Sequence, residues 1–142
     1  GKSGGIASNI GVHFFDMLSW IFGEVEENIV HLKTPDSNAG TLKLKNANVN
    51  WFLSVNSNYL PNDIKDKRQT TYRSISIEGN EIEFSDGFKD LHTRSYEEVL
   101  KGNGFGLDEA IQSINIVSQI RKTEPIGLSG EYHPFCDKVN YV

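Results

Sequence analysis

Apolar residues recur at helical spacing near the start of the chain. Ile10, Phe14, Met17, Leu18 and Ile21 define the buried face of a predicted amphipathic helix. The helix is entered through Gly4-Gly5 and stops at Gly23, which suits the left-handed position just past a helix end. Ser8 or Asn9 caps its start, because either side chain can accept from the first free backbone amides. Beyond Gly23 the pattern becomes extended. Val25, Ile29, Val30 and Leu32 predict a strand ending at Pro35-Asp36, followed by a turn cluster at Ser37-Asn38-Ala39-Gly40. Thr41 to Lys45 alternates Leu with Lys, and Asn46-Ala47-Asn48 turns the chain back. The next strand, Val49 to Asn56, has the clearest alternation: Val49, Trp51, Leu53 and Val55 face the helices, while Phe52 lies on the second face.

The second half continues in short elements. Asn62 to Gln69 reads as a charged loop, whose Lys65, Lys67 and Arg68 suit either a phosphate or plain solvent. Thr70 to Glu78 and Glu81 to Phe84 form a hairpin through Gly79-Asn80. Ser95-Tyr96-Glu97-Glu98 has capping-box spacing and opens a helix that stops at Gly102, after a short extended piece from Leu91 to Arg94. Leu107, Ala110, Ile111, Ile114, Val117 and Ile120 mark the buried stripe of a second long helix, which Pro125 ends. Strands joined by tight turns must run antiparallel. The expected fold is α+β, an open-faced, mainly antiparallel sheet with helices on one face, in one domain spanning residues 1–142. The uncovered face, which carries Phe52, suits a homo-oligomer contact.

Composition narrows the function classes. A net charge of −5 argues against a general nucleic-acid binder. The single cysteine, Cys136, excludes an internal disulfide and a cysteine metal cluster, which fits a cytoplasmic setting. No apolar run reaches membrane-span length. The four histidines, His13, His31, His92 and His133, are scattered and form no zinc motif. No serine sits in a nucleophile elbow, and no Gly-x-Gly-x-x-Gly follows a strand, so no cofactor-binding residue is expected in this chain. The opening, without an initiator Met, has the look of a piece of a longer protein.

The polar residues of the first helix carry the candidate chemistry. Asn9 and His13 are four apart and share one face, with Asp16 three further on and Ser8 and Gly11 beside them. An imidazole presented there, near free backbone amides, can act as a general acid or base. From spacing alone, a partly buried histidine bonded to Asp16 is the more ordinary outcome. Lys2, near the helix start, is a candidate anion contact or a solvated lysine. Arg73 lies in an apolar row and needs a partner: a ligand carboxylate or diphosphate, or equally a protein carboxylate.

The stretch Gly4-Gly5-Ile6-Ala7-Ser8-Asn9-Ile10-Gly11-Val12-His13-Phe14-Phe15-Asp16-Met17-Leu18-Ser19-Trp20-Ile21-Phe22-Gly23 resembles the first helix of the C-terminal domain of the glucose–fructose oxidoreductase / inositol dehydrogenase / MocA (Gfo/Idh/MocA) family. The similarity extends over nearly the whole chain. It is strongest toward the branch that oxidises UDP-N-acetylglucosaminuronate at the sugar 3-position, through Tyr72 to Gly79, Ile82 to Ser85, Asp90 to Tyr96 and Gly104 to Asp108. The resemblance implies a dihydrodipicolinate-reductase-like sheet domain that completes the substrate site and the oligomer of an NAD-dependent dehydrogenase acting in surface-polysaccharide sugar synthesis. A Rossmann domain, lying outside this chain, would hold most of the NAD. It further implies that His13 is the catalytic residue contributed by this half, beside a lysine of the other half. Lys2, Ser8, Asn9 and Arg73 are the implied contacts to a UDP-sugar acid. Asn9 stands where many relatives have Asp, so it can orient a hydroxyl but cannot tune the histidine by charge. A catalytically silent assembly domain on the same scaffold, or a relative acting on another sugar or polyol, is the alternative.

Overall fold

The computed structural model describes residues 4–87 and 90–139. It divides into two compact units, Gly1–Tyr59 with Leu107–Val142, and Leu60–Gly106.

In the first unit, helix α1 (Val12–Phe22) continues a π-helical turn at Ala7–Gly11 and leads into strands β1 (Val25–Lys33), β2 (Ser37–Leu44) and β3 (Ala47–Ser54). The strands form a three-stranded antiparallel sheet in the order β1-β2-β3. One row of this sheet, Val30–Gly40–Trp51 and Asn28–Leu42–Val49 across the three strands, faces α1 and the long helix of residues 107–122. Phe15, Leu18, Val30, Leu42, Ile116 and Ile120 fill the space between and are all buried.

The expected turn at Ser37-Asn38-Ala39-Gly40 is instead the first half of β2, entirely buried. The turn lies one step earlier, where the Thr34 amide donates to Ser37 O at 2.8 Å. Burial overrides the turn preference of these small residues, because their size is what the packing uses. A Cβ at Gly40 would stand 2.2 Å from Ile29 O and 2.7 Å from Trp51 Cζ2. Ser37 Oγ, buried, donates to Ser54 Oγ at 2.9 Å across the β2–β3 pair.

The tail after Pro125 crosses to the other sheet face. Cys136 and Val139 join Leu32 and Ala39 in a second core, with Phe52, Tyr59, Leu128 and Tyr132 packed around it. Phe52, expected on an uncovered face, meets His133 and Phe135 with ring centroids 5.8 and 5.7 Å away. The tail thus covers that part of the face within the chain, and Lys43, Asn48 and Asn50 mark the part that stays exposed. Buried His31 pins the same tail: Nδ1 lies 3.1 Å from Gly127 O and Nε2 lies 3.0 Å from Thr41 Oγ1.

The second unit contains α2 (Asn62–Asp66), the hairpin β4 (Ser74–Ile77) and β5 (Asn80–Glu83), and α3 (Leu91–Leu100). The region expected as a charged loop thus holds one helical turn, organised by buried Ile64. The hairpin turns at Glu78-Gly79, both at positive φ (51° and 82°), one residue before the expected position. Helix α3 begins at Leu91 behind Asp90, so Ser95 lies inside the helix and caps nothing. The long helix, α4 (Leu107–Lys122), buries Ser113, Ile116, Val117 and Ile120, while Leu107, Ile111 and Ile114 of the expected stripe are exposed.

Two predictions follow from this packing. Gly40→Ala lowers unfolding stability by about 1–3 kcal/mol, because backbone on one side and an indole on the other leave the methyl nowhere to go; chemical denaturation reads it. The neutral His133 ring accepts the Phe135 amide at Nδ1 (3.1 Å), and burial together with Lys138 holds its pKa below 6.5. The unfolded chain therefore takes up a proton that the folded tail resists. This contribution is full above about pH 6.5 and falls as the pH drops through that value. His133→Asn keeps an acceptor that does not titrate, so thermal midpoints measured from pH 7.5 to 5 lose this part of their slope.

Candidate active site

The backbone enters the first helix through two glycines at positive φ, Gly4 (84°) and Gly5 (87°). Such angles cost a side-chain-bearing residue strain and glycine little. The chain is helical from Ile6, and Ala7–Gly11 form a π turn before the α-helical geometry sets in at Val12. Single π turns of this kind recur at functional sites. The wider turn changes which residues point at the sheet. The buried face is Ile6, Ala7, Gly11, Phe15 and Leu18, whereas Ile10, Phe14 and Met17 of the expected face are half-buried and Ile21 is exposed. Gly11 sits so close to the core that a Cβ would lie 2.7 Å from Phe15 Cε2 and 2.9 Å from Leu53 Cδ1.

With that face fixed, Asn9, His13, Asp16 and Trp20 are all exposed. Among the described residues neither the His13 ring nor the Asp16 carboxylate has a hydrogen-bond partner, so the His13–Asp16 pairing suggested by spacing does not form. The imidazole is open to a ligand, and either ring nitrogen can take or give a proton. Neither Ser8 nor Asn9 caps the helix. The Ser8 hydroxyl donates back to Gly4 O at 3.0 Å, and the Asn9 amide donates to Gly5 O at 3.1 Å. The Ser8 oxygen keeps its lone pairs, and the Asn9 carboxamide projects on the exposed side with His13.

Lys2 lies outside the described residues. Arg73 belongs to the second unit, half-buried beside the hairpin, where its Nη1 donates to Ser85 O at 3.1 Å and its amide to Ser85 Oγ at 2.8 Å. A backbone carbonyl therefore takes one of its donors. Among the described residues no group of three or more His, Cys, Asp or Glu is placed to hold a metal ion.

The structure adds residues that sequence reasoning passed over. A groove of about 620 Å³ runs between the start of the first helix and α4, with Ser8 and Val12 on one side and Val117, Ser118, Arg121 and Lys122 on the other. Arg121 and Lys122 stand 113 and 114 residues from Ser8 in sequence, and only the pairing of the two helices unites them. Their one sequence signal is a basic pair closing a helix, which ordinarily serves the helix end.

Residues 1–63 match the family model described as the oxidoreductase family C-terminal alpha/beta domain, GFO_IDH_MocA_C. The chain belongs to the Gfo/Idh/MocA oxidoreductase family, as a C-terminal domain of that type. Among solved structures it is similar to the WlbA (WbpB) dehydrogenase from Thermus thermophilus in complex with NAD and UDP-GlcNAcA. Identity is 47% and the TM-score 0.88, over 94% of this chain and 43% of that one. It matches the same dehydrogenase in complex with NAD and alpha-ketoglutarate at the same identity and TM-score, over 93% of this chain. The chain thus spans 43% of the length of these relatives.

Proposed function

We propose that this chain is the substrate-binding half of an NAD-dependent dehydrogenase that oxidises the sugar 3-hydroxyl of a UDP-N-acetyl-hexosaminuronate. The supporting observation is His13: an exposed imidazole with no hydrogen-bond partner among the described residues, on a helix of the family's C-terminal domain, in a chain 47% identical to a dehydrogenase crystallised with NAD and UDP-GlcNAcA. The described residues offer no dinucleotide cradle. Their strands are all paired antiparallel, and the Gly4-Gly5 entry is not the glycine fingerprint that follows a strand. We place the cofactor in the remainder of the full-length enzyme, and this chain's part is played on the sugar.

In that part His13 moves the proton of the reacting hydroxyl. Asn9, one turn earlier on the same exposed side, orients a neighbouring hydroxyl, and the Ser8 oxygen accepts from another. Arg73, in the second unit, is proposed as an anion contact, as the family resemblance implies. A reaction at a sugar carbon needs such positioning as much as it needs the base, because a misplaced hydroxyl presents no proton to the imidazole. We further propose a homo-oligomer formed through the sheet face that carries Lys43, Asn48 and Asn50, whose polar side chains offer hydrogen bonds to a second copy.

In the full-length protein His13→Ala lowers turnover on UDP-sugar acids by roughly 10²–10⁴-fold and leaves NAD affinity unchanged. Steady-state kinetics with a panel of UDP-sugars and UDP-sugar acids, beside NAD titration, reads both, and unaltered turnover removes the catalytic assignment. Light scattering of the full-length protein gives a mass above one subunit, and Asn50→Arg lowers it. A strict monomer at high concentration removes the oligomer.

A further inference from the structure

We propose that the groove between the first helix and α4 binds the phosphates of a nucleoside diphosphate, held by Arg121 and Lys122. The proposal rests on the function proposed above and extends it to the anionic end of the substrate.

Charge is the first support. Arg121 and Lys122 are exposed in the last turn of α4 and form no ion pair among the described residues, where the ion pairs are Lys43–Glu27 and Lys101–Glu98. Basic residues in a last turn usually serve the helix's own carbonyl end. Here another residue serves it: Lys33 Nζ donates to Thr123 O at 2.8 Å and to Arg121 O at 3.4 Å. The two α4 cations are left for some other anion, in a chain of net charge −5.

Shape is the second. The groove, about 620 Å³, has the size of ordinary small-molecule sites. Ser8, Ser118, Arg121 and Lys122 give it a polar end, while Val12 and Ile114 give it an apolar wall. A guanidinium grips phosphate oxygens in pairs, an ammonium adds a point charge, and the Ser118 hydroxyl donates to a remaining oxygen, while Ser8, whose proton goes to Gly4 O, stays an acceptor for a sugar hydroxyl. The apolar wall suits the less polar body of a nucleoside.

Position is the third. Ser8 and Val12, four apart, share one face of the helix, and each precedes a member of the Asn9–His13 pair by one residue, so the groove lies roughly 100° around the helix from the imidazole face. Ser8 and His13 are about 7 Å apart along the helix axis and on different sides of it, so a substrate that reaches both curves around the helix.

The test uses the full-length enzyme carrying Arg121→Ala with Lys122→Ala. UDP and inorganic pyrophosphate are titrated by calorimetry, NAD separately, and thermal midpoints are recorded. The expected result is a loss of UDP and pyrophosphate affinity of roughly 10–100-fold, with NAD affinity and the midpoint unchanged and KM for the UDP-sugar acid raised far more than kcat is lowered. Arg121→Lys retains part of the affinity. Wild-type UDP affinity in the double variant overturns the proposal, even where His13→Ala has abolished turnover. A fall in NAD affinity instead gives the phosphates to the cofactor, and a fall in midpoint with UDP affinity intact makes the groove a packing face for another part of the longer chain; either result overturns it. Should the double variant not fold, Lys122→Gln alone loses UDP affinity severalfold, and no loss there overturns the proposal as well. UDP binding is read without turnover, so a full-length protein that binds UDP but oxidises no UDP-sugar refutes the dehydrogenase while leaving the groove supported.

Discussion

Phe15 meets Trp51 edge to face, with centroids 5.2 Å apart and planes 73° from parallel. The indole reaches that position because Gly40 beneath it has no side chain, and the helix comes down to the sheet because Gly11 has none either. Two glycines and two aromatic rings thus fix the distance and the rotation of the first helix on the sheet. Edge-to-face pairs of this kind contribute about 0.5–1.5 kcal/mol beyond the area they bury. Their larger effect here is geometric. Once Phe15 and Leu18 point inward, His13 can only point outward.

The outward imidazole of His13 has no hydrogen-bond partner among the described residues. A histidine kept for stability is found like His31, buried and held at both ring nitrogens by Gly127 O and Thr41 Oγ1. The two rings show the contrast within one chain: His31 ties the tail to the sheet, and His13 is left to whatever arrives from outside. Trp20, 86% exposed two turns further along the same face, extends that surface. The Gfo/Idh/MocA relatives described above are more than twice as long as this chain.

Electrostatics follow a similar division of labour. The chain is acidic overall, yet Lys33, Arg121 and Lys122 gather where α4 ends. Lys33 is spent on the helix carbonyls, and that frees the other two for an external charge. Position along a helix decides which cation does which: Lys33 reaches the carbonyls from β1, while the α4 residues project sideways from their own axis toward Ser8.

The sequence by itself determined the glycine entry, the Asn9–His13 spacing, the glycine stop at Gly23 and the antiparallel hairpins, because these depend on backbone angles and periodicities that neighbouring residues set. Gly23, at φ 91° and ψ −167°, occupies a region that essentially only glycine visits. The motif also carried the family resemblance, since its residues are contiguous. Tertiary packing decided the rest. It made Ser37-Asn38-Ala39-Gly40 a strand, because small residues next to an indole look like a turn until the indole is present. It turned the first helix through a π turn, so that Phe15 rather than Phe14 is buried. It laid the tail over Phe52, and it set Arg121 and Lys122 opposite Ser8. Contacts between residues a hundred positions apart leave no local period to read, and only the folded chain brings them to one place.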